Sequence, residues 1–274
     1  MAIRVAKFAK VPGVRLWLLY PIIRNRFIPI YKSGNRGERQ VDVKGRKAII
    51  FGGTSGIGLA ASKQLAELGA TVVAVSREPE RAGEVPDGVQ LEKCDVTDAA
   101  SVEAFLAAQA PYDILISAAT GGSRAIGPFM EMDMTGYQSS FNKLWGYANI
   151  VRYGAGHLPK DGTIVLVSGT PARKCKPGQI ALSSVGGAVE SFVKGLAAEI
   201  APVRINVVSP GLIDTPMVGL EGQERKDFYE KMTARHLIPR AGTADEVASG
   251  ITFVVQNEFM TGTTVDVDGG LLLH

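Results

Sequence analysis

The sequence predicts an α/β protein with a single Rossmann-like, doubly wound parallel sheet and helices on both faces. Three observations lead there. Its Val/Ile-rich runs are continuous rather than alternating, as in strands buried on both faces. Helical stretches separate most of these runs, which implies parallel crossovers. The first run passes through a glycine-rich turn straight into an Ala/Leu-rich helix.

The elements follow in order. Lys47-Ala-Ile-Ile-Phe51 is the first strand, Gly52 to Gly58 the turn, and the helix continues to Leu68. Gly69 leads into the second strand, Ala70 to Ser76. Further strands are expected at Val89–Cys94, Asp113–Ser117, Thr163–Val167 and Arg204–Val208. No repeat and no Pro/Ser-rich linker divides residues 47–274, which read as one domain behind a basic extension, residues 1–46.

Composition excludes several classes. At 274 residues, 46% hydrophobic and 21% charged, the chain is globular rather than disordered or fibrous. The net charge of +3 hides an asymmetry: Met1 to Lys47 carries 12 Lys and Arg against 2 acids, and the remainder 18 against 25. An acidic body argues against nucleic acid as a partner. Cys94 and Cys175 cannot form a disulfide scaffold, so a reducing, cytoplasmic setting is expected. His157, His236 and His274 lack ligand spacing, and no metal is expected. The longest uncharged N-terminal stretch, Leu16 to Ile23, is far short of the roughly 20 residues of a membrane span. Met1 to Tyr31 holds six bases and no acid around Trp17 and Tyr20, a composition for membrane-surface contact or a subunit arm, with an organelle presequence as the alternative.

The turn carries the first chemistry. Glycines at 52, 56 and 58 let the backbone approach a pyrophosphate and aim the free N–H groups of a helix start at it; Ser55 and Ile57 lie in the same turn. At the end of the second strand, where NAD enzymes place a carboxylate, stand Ser76 and Arg77. A guanidinium suits a 2′-phosphate, so NADP(H) is the expected cofactor.

From about Val43 to Leu273 the chain resembles the short-chain dehydrogenase/reductase family. The matching elements are Gly52-Gly-Thr-Ser-Gly-Ile-Gly58, Cys94-Asp-Val-Thr97, Ser209-Pro-Gly-Leu-Ile-Asp-Thr-Pro-Met217 and Thr261-Gly-Thr-Thr-Val-Asp-Val-Asp-Gly-Gly270. The resemblance implies that Asp95 and Val96 flank the adenine and that Pro210, Gly211, Ile213 and Thr215 hold the nicotinamide end. Ser117 and Ala118 fall where the family has an Asn-Asn-Ala-Gly stretch. It also implies a small-molecule substrate and a homodimer or homotetramer.

The family's catalytic pattern is not met. A tyrosine and a lysine at i and i+4 share one helix face, so the ammonium tunes the phenol that exchanges a proton with the carbonyl. Here Gly169 aligns with the family serine, Leu182 with the tyrosine and Gly186 with the lysine. The family asparagine falls near Lys143, within one residue of Asn142. Lys143 and Ser168 are therefore the catalytic candidates, Arg124 a further one for an acidic substrate; Arg173, Lys174 and Lys176 are expected to face solvent. Leu144-Trp-Gly146, Gly186-Gly187 and related segments resemble an atypical subgroup that lacks the tyrosine and lysine and includes fungal iminium reductases that also guide a cyclisation. Those use a loop aspartate that Lys174 to Gln179 does not contain. Residues 218–237 are expected to cover the substrate. The reading is an NADP(H)-dependent oxidoreductase acting on an activated C=N, C=C or C=O bond. The alternatives are a non-redox isomerase or cyclase with structural nucleotide, and a silent NADP-binding scaffold.

Overall fold

A computed structural model describes residues 41–83 and 85–273. The expectations for residues 1–31, and for the extension as far as residue 40, lie outside the described residues.

In chain order the elements are β1 (Lys47–Phe51), α1 (Gly56–Glu67), β2 (Thr71–Ser76), β3 (Val89–Lys93), α2 (Ala99–Gln109), β4 (Ile114–Ser117), α3 (Met134–Ser140), α4 (Asn142–Gly154), β5 (Thr163–Val167), α5 (Ile180–Glu199), β6 (Arg204–Pro210), β7 (Ile213–Asp214), α6 (Gly222–Thr233), β8 (Gly242–Thr243), α7 (Ala244–Gln256) and β9 (Thr264–Val267). Seven strands form one parallel sheet in the order β3-β2-β1-β4-β5-β6-β9, while β7 and β8 pair separately. The expected doubly wound sheet is what forms. The winding direction reverses between β1 and β4, where Phe51 lies opposite Ser117, and such a switch point opens a crevice at the carboxyl ends of the strands.

The continuous apolar runs bury both faces. Ile49, Phe51, Leu115, Ile164 and Val207 pack under α2, α4 and α5, while Ala48, Ile50, Ile116, Val165 and Val208 pack under α1 and α7. Packing reaches back to Val43, ahead of β1, which joins the second of these cores. Most expected boundaries agree to within one residue, and two differences are larger. β6 runs on to Pro210, and Thr264–Val267, read as a motif only, is the edge strand β9. Its side chains are half-buried or exposed, so it lacks the apolar run that marks the central strands. α5 is long and apolar enough to cross a membrane by length and composition, but it buries Val185, Val189 and Val193.

The helices that frame the crevice are set by local contacts. Asp133 caps α3 by accepting from the N–H groups of Thr135 and Gly136, and the chain turns at Phe141 into α4. A Cβ at Gly146 would lie 2.6 Å from a Val96 methyl, so α4 seats closely on the segment after β3. A Cβ at Gly121 would lie 2.6 Å from the main chain of Asn142, so the loop after β4 presses on the start of α4. These two approaches fix where Lys143 stands.

Candidate active site

The crevice is a cavity of about 930 Å³. At one end lies the turn between β1 and α1. Gly56 has φ +50° and nothing nearer than 3.6 Å where a Cβ would sit, while a Cβ at Gly58 would strike the Gly52 carbonyl oxygen at 2.0 Å. The Ser55 side chain does not cap α1, and no acid stands in the helix's first turn, so its N–H groups are left for an anion. The Ser76 hydroxyl is buried without a hydrogen-bond partner. Arg77 is exposed at the cavity rim and has no ion pair among the described residues. A cradle kept open by glycine, an orphaned hydroxyl and a free guanidinium fit a phosphorylated dinucleotide.

Further along, Asp95 Oδ1 accepts from the N–H of Thr97 at 2.9 Å and its hydroxyl at 2.8 Å. Asn149 of α4 donates to the Val96 carbonyl at 3.0 Å. Gly52, Ser55, Gly56, Ile57, Gly58, Ser76, Arg77, Asp95, Val96, Ala118, Pro210, Gly211, Ile213 and Thr215 all line the one cavity, and Lys143 and Ser168 join them. Ser117 does not: it is fully buried, and its hydroxyl lies beside the Tyr147 phenol beneath the cavity wall.

No tyrosine lines the cavity among the described residues. Leu182 and Gly186, the residues that the sequence aligns with the family tyrosine and lysine, do. Tyr147, buried under α4, donates to the Val167 carbonyl at 2.9 Å, and burial pushes its phenol above the ordinary range. Tyr137 donates to Ser184 Oγ at 3.0 Å, and Tyr229 to the Ile213 carbonyl at 3.3 Å.

Lys143, rather than its neighbour Asn142, reaches the cavity. Its Nζ donates to the Ser168 main-chain oxygen at 3.4 Å and stands 5.6 Å from the centre of the Tyr147 ring. Burial, and after it the charge of Arg124, bring its ammonium down to about 7. The Ser168 hydroxyl turns the other way, donating to the Gly186 carbonyl at 3.2 Å and lying 3.5 Å from Glu190 Oε1. Arg124 is half-buried in the wall, with its guanidinium against the Met217 sulfur.

The loop after β5 is tied down more firmly than the sequence suggests. Arg173 is exposed as expected, yet it pairs with Asp266, donates to Ser209 Oγ at 2.9 Å and lies 3.3 Å from the buried Glu190 carboxylate. Lys174 donates to the Leu271 carbonyl at 3.0 Å. Lys176 is exposed as expected. Of the expected cover, Met217, Phe228 and Met232 line the cavity, while Tyr229 is turned inward. His236, which falls within the expected cover but was singled out only as a non-ligand, is a buried part of the same wall.

A family profile described as enoyl-(acyl carrier protein) reductase matches residues 52–272. The short-chain dehydrogenase/reductase malC of Malbranchea aurantiaca is 27% identical over 262 residues, spanning 85% of this chain and 96% of the relative. L-xylulose reductase of Bos taurus is 30% identical over 240 residues, spanning 83% and 97%. The crystal structure of a small-chain dehydrogenase in complex with NADPH is 29% identical, with a TM-score of 0.72 over 84% of this chain and all of that one.

Proposed function

The chain belongs to the short-chain dehydrogenase/reductase family, and on that premise we propose that it is an oxidoreductase that reduces a conjugated C=C or C=O bond with NADPH, Lys143 standing in for the phenol. NADPH, when bound, supplies the hydride. The single observation that carries the reading is the Lys143 ammonium at the cavity wall, where Leu182 has no proton to give.

Two tasks fall to Lys143. Its charge stabilises the negative oxygen that develops as the substrate carbon receives hydride. Its proton then passes from Nζ to that oxygen, or to the α-carbon of the enolate, and Nζ is reprotonated from solvent. Desolvation makes this ammonium a stronger acid than an ordinary lysine, which suits proton transfer near neutrality. Ser168 acts as a positioning residue through its carbonyl, which holds Nζ. Ser76 and Arg77 favour the 2′-phosphate, hence NADP(H) over NAD. An iminium C=N is the second reading; it would bring a positive charge toward Lys143 and Arg124, which the cavity opposes.

The test is NADPH oxidation by purified protein with a panel of enones, quinones and iminium ions. Turnover of an enone or quinone is expected, with Lys143→Ala lowering kcat by about 100-fold or more at unchanged NADPH affinity. Tight NADPH binding without oxidation by any of them would replace this reading with the isomerase, cyclase or scaffold.

A further inference from the structure

We propose that the substrate carries a carboxylate and that Arg124 binds it, beside Lys143, in the wall of the cavity. The inference deepens the reductase reading and rests on it.

It starts from the company that Arg124 keeps. Four described arginines are not exposed: Arg46, Arg124, Arg204 and Arg225. Arg46 pairs with Asp161 and Arg225 with Asp214, and Arg204 donates to the carbonyls of Val254, Val255, Asn257 and Met260. Arg124 meets a thioether, and no carboxylate among the described residues pairs with it. A guanidinium taken out of water needs an acceptor. None is supplied by the described residues of the cavity wall, among which the single acid, Asp95, is turned to Thr97 in the segment after β3. The wall has cations instead: Lys143, Lys174 and Lys176 line it together with Arg124.

The loop that presents Arg124 is held in place. The Ala125 N–H donates to Ser140 Oγ at 2.9 Å and the Gly127 N–H to the Gly178 carbonyl at 2.9 Å. Arg124 and Lys143 line the same cavity, and the charge of Arg124 helps to hold the Lys143 ammonium down. A carboxylate held there would place a neighbouring double bond within reach of Lys143, and its charge would favour the protonated lysine. A planar fork of N–H donors matches a carboxylate, which a lysine at this place would not.

The probes are 3-benzoylacrylate and its methyl ester, which share one enone and differ in charge. Both are given to the NADPH-loaded protein, with binding read by calorimetry and turnover by NADPH oxidation. The acid is expected to bind and react about 10–100-fold better than the ester, the size of a charge-assisted contact. Arg124→Met should erase that preference by weakening the acid alone, leaving ester and NADPH affinity unchanged; Arg124→Lys should restore part of it. Equal handling of acid and ester, no binding of either, or a preference that survives Arg124→Met overturns the inference. Arg124-dependent binding of the acid without NADPH oxidation upholds the anion site and sinks the reductase reading. Oxidation with both probes alike does the reverse.

Discussion

Lys143 Nζ lies 3.4 Å from the main-chain oxygen of Ser168, and no carboxylate among the described residues pairs with it. The groups around it are Arg124 on the loop after β4, Tyr147 one turn along α4, and Lys174, Lys176 and His236 elsewhere on the cavity wall. Burial and Arg124 hold its ammonium at about 7. In the proposed reaction the protonated form is the acid, so turnover is expected to be full below that value and to fall about tenfold per pH unit above it. Lys143→Arg, which stays charged throughout, should lose this alkaline limb even where its rate is low. A limb that persists in that variant assigns the titration to another group.

The same desolvation acts on stability. Unfolded, Lys143 titrates at its ordinary 10.5; folded, at about 7. Between those values the unfolded chain binds the extra proton, so stability rises with pH across the window and the lysine is a liability below it. Lys143→Met removes both the desolvation and the repulsion from Arg124. It should raise stability at pH 7 by about 1–2 kcal/mol, or several degrees of Tm, and flatten the pH dependence of unfolding above neutrality. A variant that melts earlier than the parent would mean that the ammonium stabilises the fold.

The contrast between Lys143 and Arg173 shows which parts of the site are legible in a sequence. Aligning residues 140–146 with the family's asparagine points to Lys143 or its neighbour Asn142, and Lys143 is the one that lines the cavity, on a helix that Gly146 seats against Val96 with no room for a side chain. Local spacing on a helix carries such information. Arg173 is exposed as its sequence context suggests, but its partners, Glu190 and Asp266, lie 17 and 93 residues on and meet it only through the fold, so the ion pairs are not legible. Ser117 shows a second limit: a motif position at the end of a buried strand does not say which face its side chain takes, and here it lies beneath the wall. The central strands were visible as apolar runs, whereas β9, half-exposed at the sheet edge, was not.

Arg77 is exposed at the end of β2, next to the orphaned hydroxyl of Ser76. If it binds the 2′-phosphate, Arg77→Ala should weaken NADPH by about 10–100-fold, the range for a charge-assisted contact at a partly exposed site. NADH, which lacks the phosphate, should change little. Titration of both nucleotides against both proteins decides it, and equal weakening would assign Arg77 to the fold or to the pyrophosphate.

Restoring the family's tyrosine and lysine on α5 should fail, and the reason lies at Gly186. A Cβ there would stand 3.0 Å from the Ala172 Cβ and 3.3 Å from Ser168 Oγ, which already donates to the Gly186 carbonyl. The turn after β5 has closed onto the helix where a lysine stem would run. Leu182→Tyr faces the cavity and should cost little stability. Gly186→Lys must push the 168–172 segment away from α5, and overpacking of this kind costs about 1–3 kcal/mol. The double variant is therefore expected to melt well below Leu182→Tyr and to gain no carbonyl reductase activity beyond it. Were the double variant to fold normally and reduce simple ketones, the cavity would be a conventional site missing two side chains rather than one rebuilt around Lys143.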